Sequence, residues 1–107
     1  MLIAFIADQP VGFLYFTLDF MDYTAAYIEL IFVSSKSRRL GAAKKLLDKA
    51  EEIIMKAGYS KVFSSTNPDN KISLKMHKKL GYKRCGFIDG IETPTSKEIF
   101  FSKELKS

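Results

Sequence analysis

The chain has 107 residues, 47% of them hydrophobic and 13% aromatic, which is enough to form the core of a single domain over residues 1–107. Its 17 Lys and Arg against 12 Asp and Glu give a net charge of +5, which favours an anionic partner without saying which kind. With one cysteine, Cys85, and one histidine, His77, an internal disulfide is excluded and a metal site is not expected.

The first half of the chain predicts three strands and a long helix. Residues 2–7 and 11–20 predict the arms of a hairpin, with a turn at Asp8-Gln9-Pro10. Residues 25–33 are almost continuously apolar, as in a strand covered on both faces, and Glu29 is the one acid among them. After a basic loop, a helical period runs over residues 42–57, and Gly58 is expected at its C-terminal cap.

The second half predicts a strand, a helix and two further strands. Residues 61–65 form the strand, and the helix runs from a cap at Asp69 or Asn70 to about Leu80. Residues 83–88 and 98–105 are the closing strands, with a loop at 89–97 between them. The predicted order is β-β-β-α-β-α-β-β, an α/β (α+β) fold.

The junction between the third strand and the first helix, residues 33–43 (VSSKSRRLGAA), is the informative stretch. The first turn of a helix presents backbone N–H groups that have no partner inside the helix, at the positive end of the helix dipole. The small residues 41–43 let an anion approach these amides, and Arg38, Arg39 and Lys44 add positive charge. The junction therefore predicts a phosphate site, but with neither the Walker spacing nor the dinucleotide GxGxxG pattern.

Residues 38–43 (RRLGAA) are similar to Arg-x-x-Gly-x-Ala, the pyrophosphate-binding signature of the GCN5-related N-acetyltransferase (GNAT) family. Residues 70–82 (NKISLKMHKKLGY) resemble that family's Asn-x-x-Ala-x-x-Leu-Tyr-x-x-x-Gly-Phe segment. Both motifs fall in family order on the predicted elements. The resemblance implies a mixed, mostly antiparallel central sheet of about six strands with two main helices. It also implies an acetyl-CoA-dependent N-acetyltransferase.

The resemblance also implies where the cofactor lies. The backbone of Ile31, Phe32 and Val33 would pair with the pantetheine arm as an added strand does. Asn70 and Ser73 would line the far side of the cofactor, on one helical stripe with His77, while the apolar stripe of residues 72, 76 and 80 faces elsewhere. The residues expected around the pyrophosphate are Arg38, Arg39, Leu40, Gly41, Ala42, Ala43 and Lys44.

Glu29 and His77 are the candidate catalytic residues. An isolated carboxylate is costly to bury, so Glu29 is expected to be paired or functional, as a base acting directly or through water, or as an amine-binding anion. Family members related to polyamine acetyltransferases have a glutamate at this place. His77 stands where the family commonly has the tyrosine that protonates the coenzyme thiolate. The alternatives are an exposed or salt-bridged acid and an incidental histidine.

Several other side chains are expected to have no catalytic role. Tyr82 is interpreted as a packing residue and Cys85 as a small core residue. The exposed face of the second helix and the next strand is expected to carry solvated charges, namely Lys75, Lys78, Lys79, Lys83 and Arg84.

The family usually begins with another strand and one or two helices that build much of the acceptor pocket, and these elements are not found before Leu2. A partner subunit, a large acceptor with its own surface, or a late start of the sequence would each account for the difference. A homodimer is expected, since it would also cover the exposed sheet edge.

The leading hypothesis is an enzyme that transfers acetyl from acetyl-CoA to a primary amine, on a small molecule or a protein, by direct attack in a ternary complex. The alternative is a non-catalytic acetyl-CoA or CoA-binding module, or a subunit whose acceptor site a partner completes. Nucleic-acid binding is not expected, because the aromatic residues lie in strands that are predicted to be buried. Since the sequence has neither a signal-peptide pattern nor a membrane-spanning stretch, no membrane partner is expected and a cytoplasmic location is predicted.

Overall fold

The computed structural model describes residues 2–6, 9–20, 25–34 and 41–105, with the backbone alone for residues 2–6 and 9. The predicted element order is confirmed, with boundaries that shift by one to three residues. The elements are β1 (Leu2–Ile6), β2 (Gln9–Thr17), β3 (Ala26–Val33), α1 (Ala42–Lys56), β4 (Lys61–Thr66), α2 (Lys71–Lys79), β5 (Lys83–Asp89) and β6 (Lys97–Glu104).

The six strands form one sheet in the order β1-β2-β3-β4-β6-β5. Every neighbouring pair is antiparallel except β3 and β4, which run parallel and are connected through α1. A parallel pair needs such a crossover, because its strands cannot be joined by a tight turn. The mixed, mostly antiparallel sheet with two helices confirms the predicted fold class.

Two irregularities in β3 shape the centre of the sheet. Tyr15 pairs with Leu30, and the next residue of β2, Phe16, pairs with Ile28, so Glu29 is an extra residue that bulges out of the ladder. The parallel pairing of β3 with β4 ends at Ile28 and Ser64, although both strands continue beyond that point. The two strands therefore separate from each other at their carboxyl ends.

The core lies between the sheet and the helices. From α1, Leu46, Leu47 and Ile54 are buried against a sheet surface that includes Leu14 and Val62. Burying each large aliphatic side chain stabilises the fold by about 1.5–3 kcal/mol before entropy is counted. These apolar positions on α1 follow the helical period that the sequence shows, which is why this helix could be predicted.

The opposite face of the sheet is partly open, which corrects the prediction of a strand covered on both sides. Leu30 is 53% exposed and Phe32 is 50% exposed. Tyr15 and Phe87 are exposed to a similar degree, so the expectation that the strand aromatics are buried is also wrong for Tyr15, Phe32 and Phe87. Glu29 is exposed too, so the argument from the cost of burying its carboxylate does not apply.

A buried polar cluster connects α1 with the other end of the sheet. Lys103 donates to Glu51 Oε1 at 2.9 Å and to the carbonyl oxygen of Leu80 at 2.9 Å. The Tyr82 hydroxyl donates to Glu51 Oε2 at 2.9 Å, and burial together with the Glu51 carboxylate raises the pKa of Tyr82. Tyr82 packs in the core as the sequence predicted. Its hydroxyl has a partner there, which a buried phenol requires.

Cys85 is exposed on β5, so its interpretation as a core residue is wrong. The predicted solvated charges at residues 75, 78, 79, 83 and 84 are exposed, as expected. None of the helices in the described part of the chain has the length and apolar character needed to cross a membrane. Nor do the described His, Cys, Asp and Glu side chains form a group of three that could hold a metal ion.

Candidate cofactor-binding cleft

A cleft of about 460 Å³ opens where β3 leaves β4. One wall is the end of β3, the floor is the first turn of α1, and the other wall is α2. The residues that line it are Ile31, Phe32, Val33, Gly41, Ala43, Lys44, Asn70, Ile72, Ser73, Lys75, Met76, Lys79 and Leu80.

The β3 wall offers a strand edge. Leu14, Phe13 and Gly12 of β2 pair with residues 31–33 of β3 on one side. On its other side, this segment has no strand partner among the described residues, because the pairing with β4 has already ended. An unpaired strand edge presents N–H and C=O groups that an extended ligand can bind in the manner of an added strand.

The first turn of α1 lies at the cleft, where Gly41, Ala43 and Lys44 line it. Gly41 precedes the helix with φ 75° and ψ 17°, a left-handed conformation that favours glycine. No side chain of the described residues caps this end, and an uncapped first turn presents N–H groups that can bind an anion. Arg38, Arg39 and Leu40 lie outside the described residues. The side chain of Ala42 packs in the core, and Ala42 does not line the cleft.

The α2 wall differs from its prediction in one respect. Asn70 caps the helix, its Oδ1 accepting from the Ser73 amide at 3.0 Å, and both residues line the cleft. Ile72, Met76 and Leu80, the apolar stripe expected to face away from the cofactor, also line the cleft. The polar and apolar stripes therefore do not divide between cleft and core as predicted.

His77 lies behind the cleft wall and does not line it. The ring is 2% exposed and stacks on Phe101, with a centroid distance of 4.4 Å. Nδ1 lies 2.7 Å from the carbonyl oxygen of Ser73, which can only accept, so Nδ1 carries the proton. Nε2 then accepts from the Ser64 hydroxyl at 2.7 Å. Burial lowers the pKa of His77 from 6.5, so the neutral ring is the dominant form at neutral pH.

Positive charge lines the cleft on two sides. Lys44 pairs with Asp48 one turn along α1, and this hydrogen bond raises the pKa of Lys44. Lys75 and Lys79, one turn apart on α2, have no ion-pair partner among the described residues. The sequence pattern placed these two lysines on a solvated face. Lys75 and Lys79 each lie three residues after Ile72 and Met76, so they share a side of the helix with them. This spacing would have predicted their place at the cleft only if the orientation of α2 had been known.

Residues 1–82 match the family model described as Acetyltransferase (GNAT) family. The chain belongs to the GNAT acetyltransferase family. Comparison with curated protein sequences gives no significant match for this GNAT chain. Its fold and its family are therefore supported by the family model and by solved structures.

Solved structures show the same fold as this GNAT chain. Ard1 from Thermoplasma volcanium superposes with a TM-score of 0.84 at 21% identity, over 94% of this chain and 67% of that one. A proposed streptothricin acetyltransferase from Bacillus anthracis, solved with acetyl coenzyme A, has a TM-score of 0.84 at 27% identity, over 96% of this chain and 60% of that one. Ribosomal-protein-alanine N-acetyltransferase from Brucella melitensis has a TM-score of 0.81 at 19% identity, over 96% of this chain and 67% of that one. The chain thus spans between 60% and 67% of the length of these three structures.

Proposed function

We propose that this GNAT chain transfers the acetyl group of acetyl-CoA to a primary amine by direct attack in a ternary complex. The observation that carries the proposal is that a strand edge without a strand partner and a helix N-terminus without a side-chain cap, both among the described residues, line the same cleft. A pantetheine arm is an extended chain of amides, and a pyrophosphate is a dianion. The strand edge binds the first and the helix amides bind the second.

The charged walls fit the rest of the cofactor. Lys44, Lys75 and Lys79 surround the space into which the phosphates would extend. Arg38 and Arg39 are proposed to add to this charge from the segment preceding Gly41. The resemblance of residues 38–43 to the family's pyrophosphate signature supports this placement.

The thioester end of the cofactor would lie where β3 and β4 separate. Glu29 does not itself line the cleft, but it stands at this point, because it is the first residue of β3 beyond the parallel pairing with β4. Its bulged position keeps the carboxylate exposed on the strand. Glu29 is therefore proposed to take the proton from the attacking ammonium, directly or through a water molecule. A positioned base of this kind contributes roughly 10²–10⁴-fold to a rate.

The transfer itself needs no covalent enzyme intermediate. The amine nitrogen forms a bond to the acetyl carbonyl carbon, the carbon–sulfur bond breaks, and the coenzyme leaves as a thiolate that takes up a proton. The acid role predicted for His77 has no support from the geometry, since neither ring nitrogen reaches the cleft surface. We propose instead that His77 holds α2 against β4.

A direct test combines binding with turnover. Acetyl-CoA is titrated against the protein in a thermal-shift assay, and thiol release is then followed with a panel of primary amines. Stabilisation by acetyl-CoA and amine-dependent thiol release are expected. Stabilisation without thiol release would favour the alternative of a non-catalytic CoA-binding module or subunit. No stabilisation at all would overturn the proposal.

The Glu29→Gln variant tests the base. The amide is nearly isosteric but cannot accept the proton, so kcat should fall by about 10²-fold while the KM for acetyl-CoA stays within about twofold. Glu52→Gln is the matched control, since Glu52 lies on α1, away from the point where β3 and β4 separate. Normal turnover in Glu29→Gln would remove Glu29 from the mechanism.

The homodimer and the cytoplasmic location remain predictions. Analytical ultracentrifugation with and without acetyl-CoA would test the first of them. A monomer that turns over amines would show that no partner copy is needed to complete the acceptor pocket.

A further inference from the structure

A chain of hydrogen bonds crosses three strands on the sheet face opposite the helices. The Ser65 hydroxyl donates to Glu98 Oε2 at 2.7 Å. The Tyr27 hydroxyl lies 2.7 Å from Ser65 Oγ. Because serine has one hydroxyl proton and Glu98 receives it, Tyr27 is the donor in the second bond. The carboxylate of Glu98 on β6 is thus held by Ser65 of β4, which is in turn held by Tyr27 of β3.

The Tyr27–Ser65–Glu98 series of hydrogen bonds lies beside the opening between β3 and β4. Ser65 is the first residue of β4 beyond the parallel pairing, as Glu29 is the first such residue of β3. Glu29 and Glu98 therefore stand on opposite sides of the point where the strands separate. Both carboxylates lie close enough to Tyr27 that, together with burial, their charges raise the pKa of its hydroxyl.

Aromatic rings lie beside these carboxylates, around Tyr27. Tyr27 stacks on Phe20 with a centroid distance of 4.6 Å and on Phe100 with a centroid distance of 6.1 Å. Phe63 packs beside Phe20, with a centroid distance of 5.8 Å. An aromatic surface next to carboxylates favours a cation that carries methylene groups, because the rings attract the charge and cover the carbons.

The carboxylates of this region are also not neutralised by neighbouring lysines. Of the ten Asp and Glu residues in the described part of the chain, Asp48, Glu51, Glu52 and Glu104 pair with a lysine and the other six do not. Glu29 and Glu98 have no such pair among the described residues. In a chain of net charge +5, these two acids give one face of the opening a local negative charge.

We propose that Glu98 determines acceptor specificity by binding a second positive charge of the acceptor. The preferred acceptors are then amines with at least two cationic groups joined by methylenes, one reacting beside Glu29 and the other held by Glu98. This inference rests on the proposed acetyl transfer. It places the acceptor on the face opposite the helices, so that it meets the acetyl group through the gap between β3 and β4.

The experiment compares Glu98→Gln with the parent protein on two probes, propylamine and 1,3-diaminopropane, at saturating acetyl-CoA. Loss of a charge-assisted hydrogen bond should raise the KM for the diamine about tenfold. The kcat, the KM for propylamine and the KM for acetyl-CoA should change by less than about twofold. Glu98→Asp should recover part of the diamine preference. Glu104→Gln, at the far end of β6, is the matched control and should behave as the parent.

A purely structural role for Glu98 predicts a different pattern. If Glu98→Gln changes the kinetics of propylamine and diaminopropane equally, or if the parent does not prefer the diamine, the proposal is wrong. Calorimetric titration of spermidine in the presence of CoA separates this outcome from failure of the enzymatic function. Binding to the parent but not to Glu98→Gln supports the acceptor site even when no amine is turned over, whereas equal binding to both overturns it.

Discussion

Gly41 and Gly58 stand at the two ends of α1, and they form a matched pair. Both have positive φ, 75° and 97°, and among the described residues no neighbouring atom lies within 4 Å of the place where a Cβ would stand at either of them. A side chain at either position costs about 1–2 kcal/mol of backbone strain. Only Gly41 lines the cleft, so a side chain there would occupy the space proposed for the pyrophosphate.

We therefore expect Gly41→Glu to abolish acetyl-CoA binding in calorimetry, because it adds both bulk and a negative charge beside the helix amides. Both variants should lower the melting temperature by a similar amount, because the backbone strain is the same. Gly58→Glu should nevertheless bind acetyl-CoA normally. Equal loss of binding in both variants would trace the effect to a weakened helix and would contradict the proposed phosphate site.

Sequence reasoning succeeded for residues whose role is set by their neighbours along the chain. Asn70 was predicted as a possible cap, and its Oδ1 accepts from the amide three residues later. It failed for the expected burial of Glu29 and Cys85, because a bulge in β3 and the position of β5 at the sheet edge decide their exposure. Exposure of that kind depends on strand pairing, which a local pattern does not contain.

At the scale of elements, the two helices were predictable to different degrees. The apolar period of α1 identifies its buried face, since the core needs that whole face. The shorter α2 has one apolar stripe, but residues of this stripe line the cleft. The buried residue of α2 is His77. Hydrophobic pattern alone cannot separate a core from an apolar ligand site, so the orientation of α2 could not be predicted.

The exposed wall of α2 leads to a prediction about charge. Lys75→Ala and Lys79→Ala together should raise the KM for acetyl-CoA about tenfold at low salt, because two positive charges leave the space proposed for the phosphates. The difference should shrink as ionic strength rises. Lys78→Ala is the control, since Lys78 is equally exposed on α2 but does not line the cleft. A similar effect of Lys78→Ala would indicate general electrostatic attraction instead of a site.

At the scale of the whole molecule, the cleft and the proposed acceptor site arise from one topological feature. The chain crosses from β3 to β4 through α1, which makes this the one parallel pair in the sheet and places two carboxyl ends side by side. In the proposed function, the cofactor and the acceptor meet where these two strands separate. The sequence predicted the element order that builds this arrangement. It did not show where the pairing stops, because that depends on the bulge at Glu29 and on the packing of α2.

The attachment of α2 to this opening depends on a neutral His77, and this makes folding sensitive to pH. His77 is the one histidine in the sequence, and burial lowers its folded pKa from 6.5. As pH falls below about 6.5, the unfolded chain takes up the proton first, so the folded state loses stability until the folded pKa is passed. Above that window the contribution of His77 is fully present.

The free energy of unfolding, measured with urea between pH 5 and 8, should therefore decline on the acid side of this range. In His77→Gln this decline should be absent, although the variant is less stable at every pH because the stacking on Phe101 is lost. Lys78→Gln, at the next and exposed position, should keep the decline. An unchanged acid slope in His77→Gln would mean that His77 is not buried as a neutral ring. The proposed role of His77 in holding α2 against β4 would then be wrong.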